Sequence, residues 1–191
     1  MPQLSDRVGT FTDSVIRRMT RINNQYDSIN LSQGFPDFDP PKELTDALAK
    51  AAHDGPHQYA VTFGAQNFRE ALAKKTSPAL HHEVDPNTEI CVTCGGTEAM
   101  MAAMMTICNP GDKVMVFSPF YENYGADTIL TGAEPIYVPL TPPEFTFDPE
   151  VLENAFRQHP KALILCNPSK PLRQGVHPGR AGADCGPCQK V

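Results

Sequence analysis

No long apolar run occurs in this sequence. Its N-terminal stretch, MPQLSDRVGT, has no apolar signal core, and the longest apolar stretch, Ala99 to Cys108, is interrupted by Thr106 and closed by Asn109-Pro110-Gly111. A bilayer-spanning helix needs about 20 consecutive apolar residues, so neither membrane insertion nor a secretory signal is expected. A soluble, cytoplasmic protein is the expectation. Positive charge is also in short supply: 16 Lys and Arg face 22 Asp and Glu, for a formal net charge of -6. A general nucleic-acid binder needs a basic face to neutralise phosphates, so a small-molecule or protein partner is expected instead. Cysteine is too sparse for a disulfide framework, with six residues in 191, several of them in apolar runs, which points to reduced thiols. The six histidines show no metal spacing beyond the adjacent pair His81-His82, and no metal site is expected from them.

At 40% hydrophobic content, the chain is long enough to build one substantial core. Val15, Ile16, Met19 and Ile22 recur at helical spacing behind Thr12 and Asp13 as possible caps, which predicts an amphipathic first helix. The strip LSQGFPDFDPPKEL follows, where Gly34 permits close backbone approach and three prolines disfavour helix. Pro40-Pro41 then opens a second helix with Leu44, Ala47, Leu48, Ala51 and Ala52 on one face. From Glu89 the pattern alternates. Strands are expected at Ile90 to Val92, Lys113 to Phe117, Ile136 to Val138 and Ala162 to Cys166. Between them lie helices from Glu98 to Ile107, from Glu122 to Leu130 ended by Gly132, and from Pro149 to Arg157 behind the cap Asp148. Such alternation implies an α/β fold of three layers, with a mainly parallel sheet covered by helices on both faces. Met100, Met101, Met104 and Met105 read as helical core.

Ligands of an open α/β sheet bind beyond the carboxyl ends of its strands, and a glycine turn entering a helix favours an anion there. VTCGGTEAM has that form: Gly95 and Gly96 let the backbone approach, and Thr97 offers a hydroxyl and an N–H. The plainer reading of a Gly-Gly turn is a tight connection. SPFYENY places Phe120 and Tyr121 at the same rim, Phe120 as a core ring and Tyr121 as one that could lie over a flat cofactor. In QYAVTFGAQNFREAL, Tyr59 stands five residues ahead of Gly64 and a helix start, where a packed loop residue is the alternative.

These segments resemble the class I, fold-type I aminotransferases that depend on pyridoxal 5′-phosphate (PLP), most closely the kynurenine and methionine aminotransferase branch. The matching strings are INLSQGFPDF, QYAVTFGAQNFREALAKK, VTCGGTEAM, NPGDKVMVFSPFYENY and ALILCNPS, spread over about residues 12 to 169. The resemblance implies transamination between an amino acid and a 2-oxo acid, by a ping-pong scheme in which a lysine forms a Schiff base with PLP. It implies further that Gly34 lies beside the substrate carboxylate, that Gly95, Gly96 and Thr97 hold the cofactor phosphate, and that Tyr121 stacks on its ring. Tyr59 would reach the phosphate of a neighbouring subunit, so the resemblance also implies a homodimer. Residues 1–30 are then an N-terminal arm and first helix, 31–169 a partial PLP-binding large domain, and 170–191 an aberrant tail.

That tail departs from the pattern. The family reads Asn-Pro-x-Asn-Pro-x-Gly where this chain has NPSKPLRQG, so Lys170 takes the place of the second Asn and Arg173 that of the Gly. Residues 170–191 carry four basic side chains against one acid, Asp184, with no aromatic, a composition expected to stay disordered. Removing one base from an AAA codon at Lys170 lets the following codons read Asn-Pro-Cys-Gly and then Lys or Arg. An out-of-frame tail is therefore the expectation, and the family's lysine, aspartate and arginine, which lie farther along, have no counterpart here. Catalytic residues are accordingly assigned to none, and the chain itself is expected to be inactive. Two other readings compete. One is a non-catalytic fragment that binds an intact subunit. The other is a zinc or redox module built on Cys91/Cys94 and Cys185/Cys188, against which only three residues follow Cys188, where a redox motif needs a helix.

Overall fold

The computed structural model describes residues 5–10 and 13–172. Thr12 and the segment 173–191 lie outside the described residues, and with them most of the expected aberrant tail, Arg173 and the pair Cys185/Cys188. The chain divides into two compact units, one running from Val15 to Gly95 and the other from Gly96 onward together with the residues before Val15.

The later unit holds the sheet. Its strands are β1 (Lys113–Ser118), β2 (Glu134–Thr141), β3 (Thr146–Phe147) and β4 (Ala162–Ile164), in the order β3-β2-β1-β4. β1 pairs in parallel with both β2 and β4, and only the short β3 runs antiparallel, on the far side of β2. Burial explains why β1 is central: Val114, Met115 and Val116 are consecutive and all buried, as a strand covered on both faces requires. Alternation sends them to opposite cores. Val114 and Val116 pack with Met104, Cys108, Ala133 and Ile164, whereas Met115 packs with Val138, Leu152 and Ala155. Helix α4 (Gly95–Ile107) contributes Met104 to the first core and α6 (Pro149–Phe156) contributes Leu152 and Ala155 to the second, which makes three layers. The methionine cluster of α4 is core only in part, since Met104 is buried and Met100 packs against the same cluster while Met105 is exposed.

Local signals set the helix boundaries. Asp148 caps α6 by accepting a hydrogen bond from the Glu150 N–H at 2.8 Å, with Pro149 in the first turn. Helix α5 (Asn123–Leu130) stops before Gly132, which takes a φ of 83°. At α5 one feature works against stability. Asp127 is buried and its Oδ2 has no hydrogen-bond partner, so desolvation pushes its carboxyl pKa up. A carboxyl raised in the folded state binds its proton more tightly there than in the unfolded chain. Its contribution is therefore full below the ordinary aspartate range and is lost as pH rises through the raised value. Asp127→Asn is expected to raise the thermal midpoint at neutral pH and to give little change near pH 3. Melting curves across pH check this, and equal effects at both ends would contradict it.

The earlier unit contains α1 (Val15–Tyr26), α2 (Lys42–Asp54) and α3 (Gln66–Leu80). No strand forms at Ile90 to Val92, contrary to the sequence expectation. The reason is hydrogen bonding: the Val92 N–H donates to Phe63 O at 3.0 Å, in the loop before α3, and one such bond does not make a ladder. Arg69 secures the same loop. Its buried guanidinium donates to Gly64 O at 3.0 Å, to Pro86 O at 2.5 Å and to Gln66 Oε1. Replacing Arg69 by Met leaves those carbonyls without their charged donor, and a loss of about 3 kcal/mol is expected from the usual worth of such bonds. Chemical denaturation would read it.

Candidate functional site

Parallel pairing of β1 with β4 sets two strand carboxyl ends side by side. From β1 the chain runs through Pro119 into Phe120 and Tyr121, and from β4 through Cys166 to Lys170. Phe120 turns inward. It stacks on Tyr137 with centroids 5.3 Å apart and planes 4° apart, and packs against the Val114/Val116 cluster, as the core reading required. Gly125 makes room for it, because a Cβ there would stand 3.2 Å from Phe120 Cε2. Tyr121 is left half-buried at the rim.

Two contacts join the outgoing segments. Lys170 Nζ sits 3.8 Å from the centroid of the Tyr121 ring. Tyr124 meets Tyr121 edge-on, with centroids 5.7 Å apart and planes at 80°. The neighbouring Cys166 side chain first, and burial second, push the Tyr124 phenol up to about 12, so it stays protonated at neutral pH.

The start of α4 reaches the same end of the sheet. Asn123, the first residue of α5, donates from Nδ2 to Thr97 Oγ1 at 2.8 Å, which links the first turn of α4 to the Tyr121 segment. Gly95 precedes it at a φ of 83°, and the turn is closed by the Gly95 N–H donating to Thr93 O at 2.8 Å. A Cβ added at Gly95 or Gly96 would meet nothing within 4 Å, so the backbone there lies open to a ligand. The first N–H groups of a helix have no acceptor within it and form its positive end. Open backbone, a positive helix end and an aromatic rim suit a flat ring that carries a phosphate.

Of the residues expected from sequence, Gly96, Thr97 and Tyr121 therefore come together in one unit, with Gly95 adjoining them in the chain. Gly34 and Tyr59 belong to the earlier unit. Gly34 lies in the loop between α1 and α2 with open space around its Cα, and Tyr59 lies between α2 and α3 with its side chain fully exposed. Asn123 and the Tyr124–Cys166 pair were not foreseen. SPFYENY carried the only signal for Asn123, an amide two residues beyond the rim tyrosine. Among the described residues no group of three His, Cys, Asp or Glu is placed to hold a metal, and Cys91 and Cys94 are exposed and form no disulfide.

A mainly parallel sheet between helices makes this an α/β protein with the fold of the PLP-dependent transferases. The chain belongs to the family of class I and II aminotransferases, whose model matches residues 26–173. Methionine aminotransferase of Escherichia coli K12 is 36% identical over 171 residues, which are 90% of this chain and 42% of that protein. Kynurenine–oxoglutarate transaminase 3 of Mus musculus is 33% identical over 177 residues, covering 87% of this chain and 39% of its own length. A crystal structure of an Escherichia coli methionine aminotransferase superposes with a TM-score of 0.88 at 32% identity, covering 100% of this chain and 49% of that one. The chain thus spans about half the length, or less, of the relatives it matches. Pyridoxal 5′-phosphate is the cofactor of the family.

Proposed function

We propose that the described residues form the phosphate-and-ring half of a PLP site in an enzyme that moves an amino group between an amino acid and a 2-oxo acid. The observation that carries this reading is the Asn123–Thr97 hydrogen bond, which unites the start of α4 with the Tyr121 rim. When bound, the cofactor supplies an electron sink for the bond-breaking at the amino acid's α-carbon. The N–H groups of Gly96 and Thr97 would hold the phosphate, with Gly95 shaping the turn before them. Asn123 would keep the Thr97 hydroxyl aimed, and Tyr121 would lie against the ring. Gly34 would lie beside the substrate carboxylate. Similarity to the methionine and kynurenine enzymes supports sulfur or aromatic amino acids as substrates.

The lysine that carries the cofactor in this chemistry is assigned to no described residue. We infer binding without turnover for this chain. Incubated with PLP, methionine and a 2-oxo acid, the chain is expected to yield no new amino acid, and product above the protein-free rate would overturn this. Binding is read with pyridoxine 5′-phosphate, which has the ring and the phosphate but no aldehyde. Thr97→Val is expected to weaken it about tenfold by removing a hydrogen bond to a charged group, and Gly96→Asp to abolish it by setting a carboxylate against the phosphate. Unchanged affinity in both variants would remove the phosphate assignment.

Large apolar side chains lie open in the earlier unit, among them Ile29, Leu31, Phe38 and Leu48 beside the exposed Tyr59. Exposure on that scale supports an assembly in which a second subunit covers them, and a homodimer is the form we infer. Light scattering would show a dimeric mass. An intact homologue, added in trans, would compete if the chain acts instead as a non-catalytic partner.

A further inference from the structure

We propose that Lys170 acts as a built-in cap on the Tyr121 ring, competing with any planar ligand for the face on which that ligand would stack. The geometry is direct. Lys170 Nζ stands 3.8 Å from the ring centroid, inside the about 4.5 to 7 Å at which the centroid of a second ring lies, so it fills the space over that face. An ammonium and a stacked ring cannot share that place. The attraction comes from the negative face of the phenol ring, and an exposed lysine keeps its remaining N–H groups in water while making it. Topology supports the contact, because β4 delivers Lys170 beside the strand that delivers Tyr121. Tyr121 is itself held from the other end of its segment by Tyr124, which meets it edge-on with centroids 5.7 Å apart. Both rings and the lysine are thus placed by the two adjacent strands.

The ligand class that would meet this cap is a flat heteroaromatic phosphate ester, so the inference rests on the reading of Gly96, Thr97 and Tyr121 as a phosphate-and-ring site. Its phosphate would go to the start of α4, which Lys170 does not cover in any contact described. Its ring would have to displace the ammonium. The cap therefore weakens binding of the ring without abolishing binding of the phosphate.

Equilibrium titration with pyridoxine 5′-phosphate and, separately, with inorganic phosphate tests this on the full chain and on Lys170→Ala and Lys170→Arg. Lacking an aldehyde, pyridoxine 5′-phosphate cannot react with lysine, so the readout is stacking and charge alone. Lys170→Ala is expected to bind it about 2- to 5-fold more tightly, the range of an exposed cation–π contact. Lys170→Arg should match the parent chain, since its guanidinium also lies over rings. Inorganic phosphate should bind all three equally. Equal or weaker binding of pyridoxine 5′-phosphate by Lys170→Ala would overturn the cap and make Lys170 a helper of the anion. Failure of all three chains to bind either probe would remove the phosphate site and the cap with it. A second readout needs no ligand. The ε-methylene protons of Lys170 should resonate upfield in the ring current of Tyr121 and return to ordinary values in Tyr121→Leu, and their lying at ordinary values in the parent would also refute the cap.

Discussion

Gly64→Ala is expected to destabilise the unit from Val15 to Gly95 by about 2 to 5 kcal/mol, the sum of backbone strain and overpacking. Gly64 has a φ of 106°, outside the range that side-chain-bearing residues adopt with ease. An added Cβ would stand 2.7 Å from Val92 Cβ and closer still to its Cγ2. Relief by a small shift is costly, since both sides of the contact are tied down. Gly64 O accepts from Arg69 Nε, the Gly64 N–H donates to Val61 O at 2.8 Å, and Val92 is bonded to Phe63. Adding Val92→Gly removes the collision but leaves the φ, so the double variant should recover about half of the Gly64→Ala loss, measured against Val92→Gly alone. Hydrogen exchange along α3, compared among the parent and these variants, measures this. Protection in Gly64→Ala equal to that of the parent would show that the loop yields more easily than its bonds imply.

The second large effect is expected in the other unit. Leu152, on α6, is buried at 2% exposure against Met115, Val138 and Ala155. Leu152→Ala should cost about 2 to 5 kcal/mol, depending on how far the cavity collapses. Against a typical total of about 5 to 15 kcal/mol, that is enough to unfold a marginal chain. Glu153→Ala, one residue along, is the control. Its carboxylate meets Arg157 at 2.9 Å on an exposed surface, and such a pair contributes about 0.3 to 0.5 kcal/mol. Urea midpoints of the two variants should therefore differ widely, and similar midpoints would mean that α6 is not anchored by its buried face.

Strand β1 was legible because four consecutive apolar residues, Val114 to Phe117, bounded by Asp112 and Pro119, match a strand buried on both faces. Asp148-Pro149 marked α6 as plainly, through a cap and a residue suited to the first turn. Ile90 to Val92 shows the limit of that signal. Three apolar residues looked like a strand, but strand formation depends on a neighbour offering a ladder, and the sequence does not say which neighbour is present. The opposite case is β3, two residues long and therefore without a period to read. It exists because Leu140 and Thr141 of β2 face Phe147 and Thr146 across a return of the chain. At the site, Gly95, Gly96, Thr97 and Tyr121 stood out because glycines before a helix and an aromatic after a strand have local causes. Asn123 did not, because its role depends on Thr97, 26 positions earlier, and only the fold makes those two adjacent.

The order β3-β2-β1-β4 leaves the two flanks of the sheet unlike. On the β2 side, a two-residue antiparallel stub covers only the last rungs, where the chain turns back on itself. On the β4 side, a three-residue strand lies parallel to β1 and presents its outer N–H and C=O groups. A further parallel strand can extend the sheet beyond Ala162–Ile164. That flank has a polarity, since a strand added there in the same direction would also end beside Tyr121 and Lys170 and bring its own side chains to the place where the ring would lie.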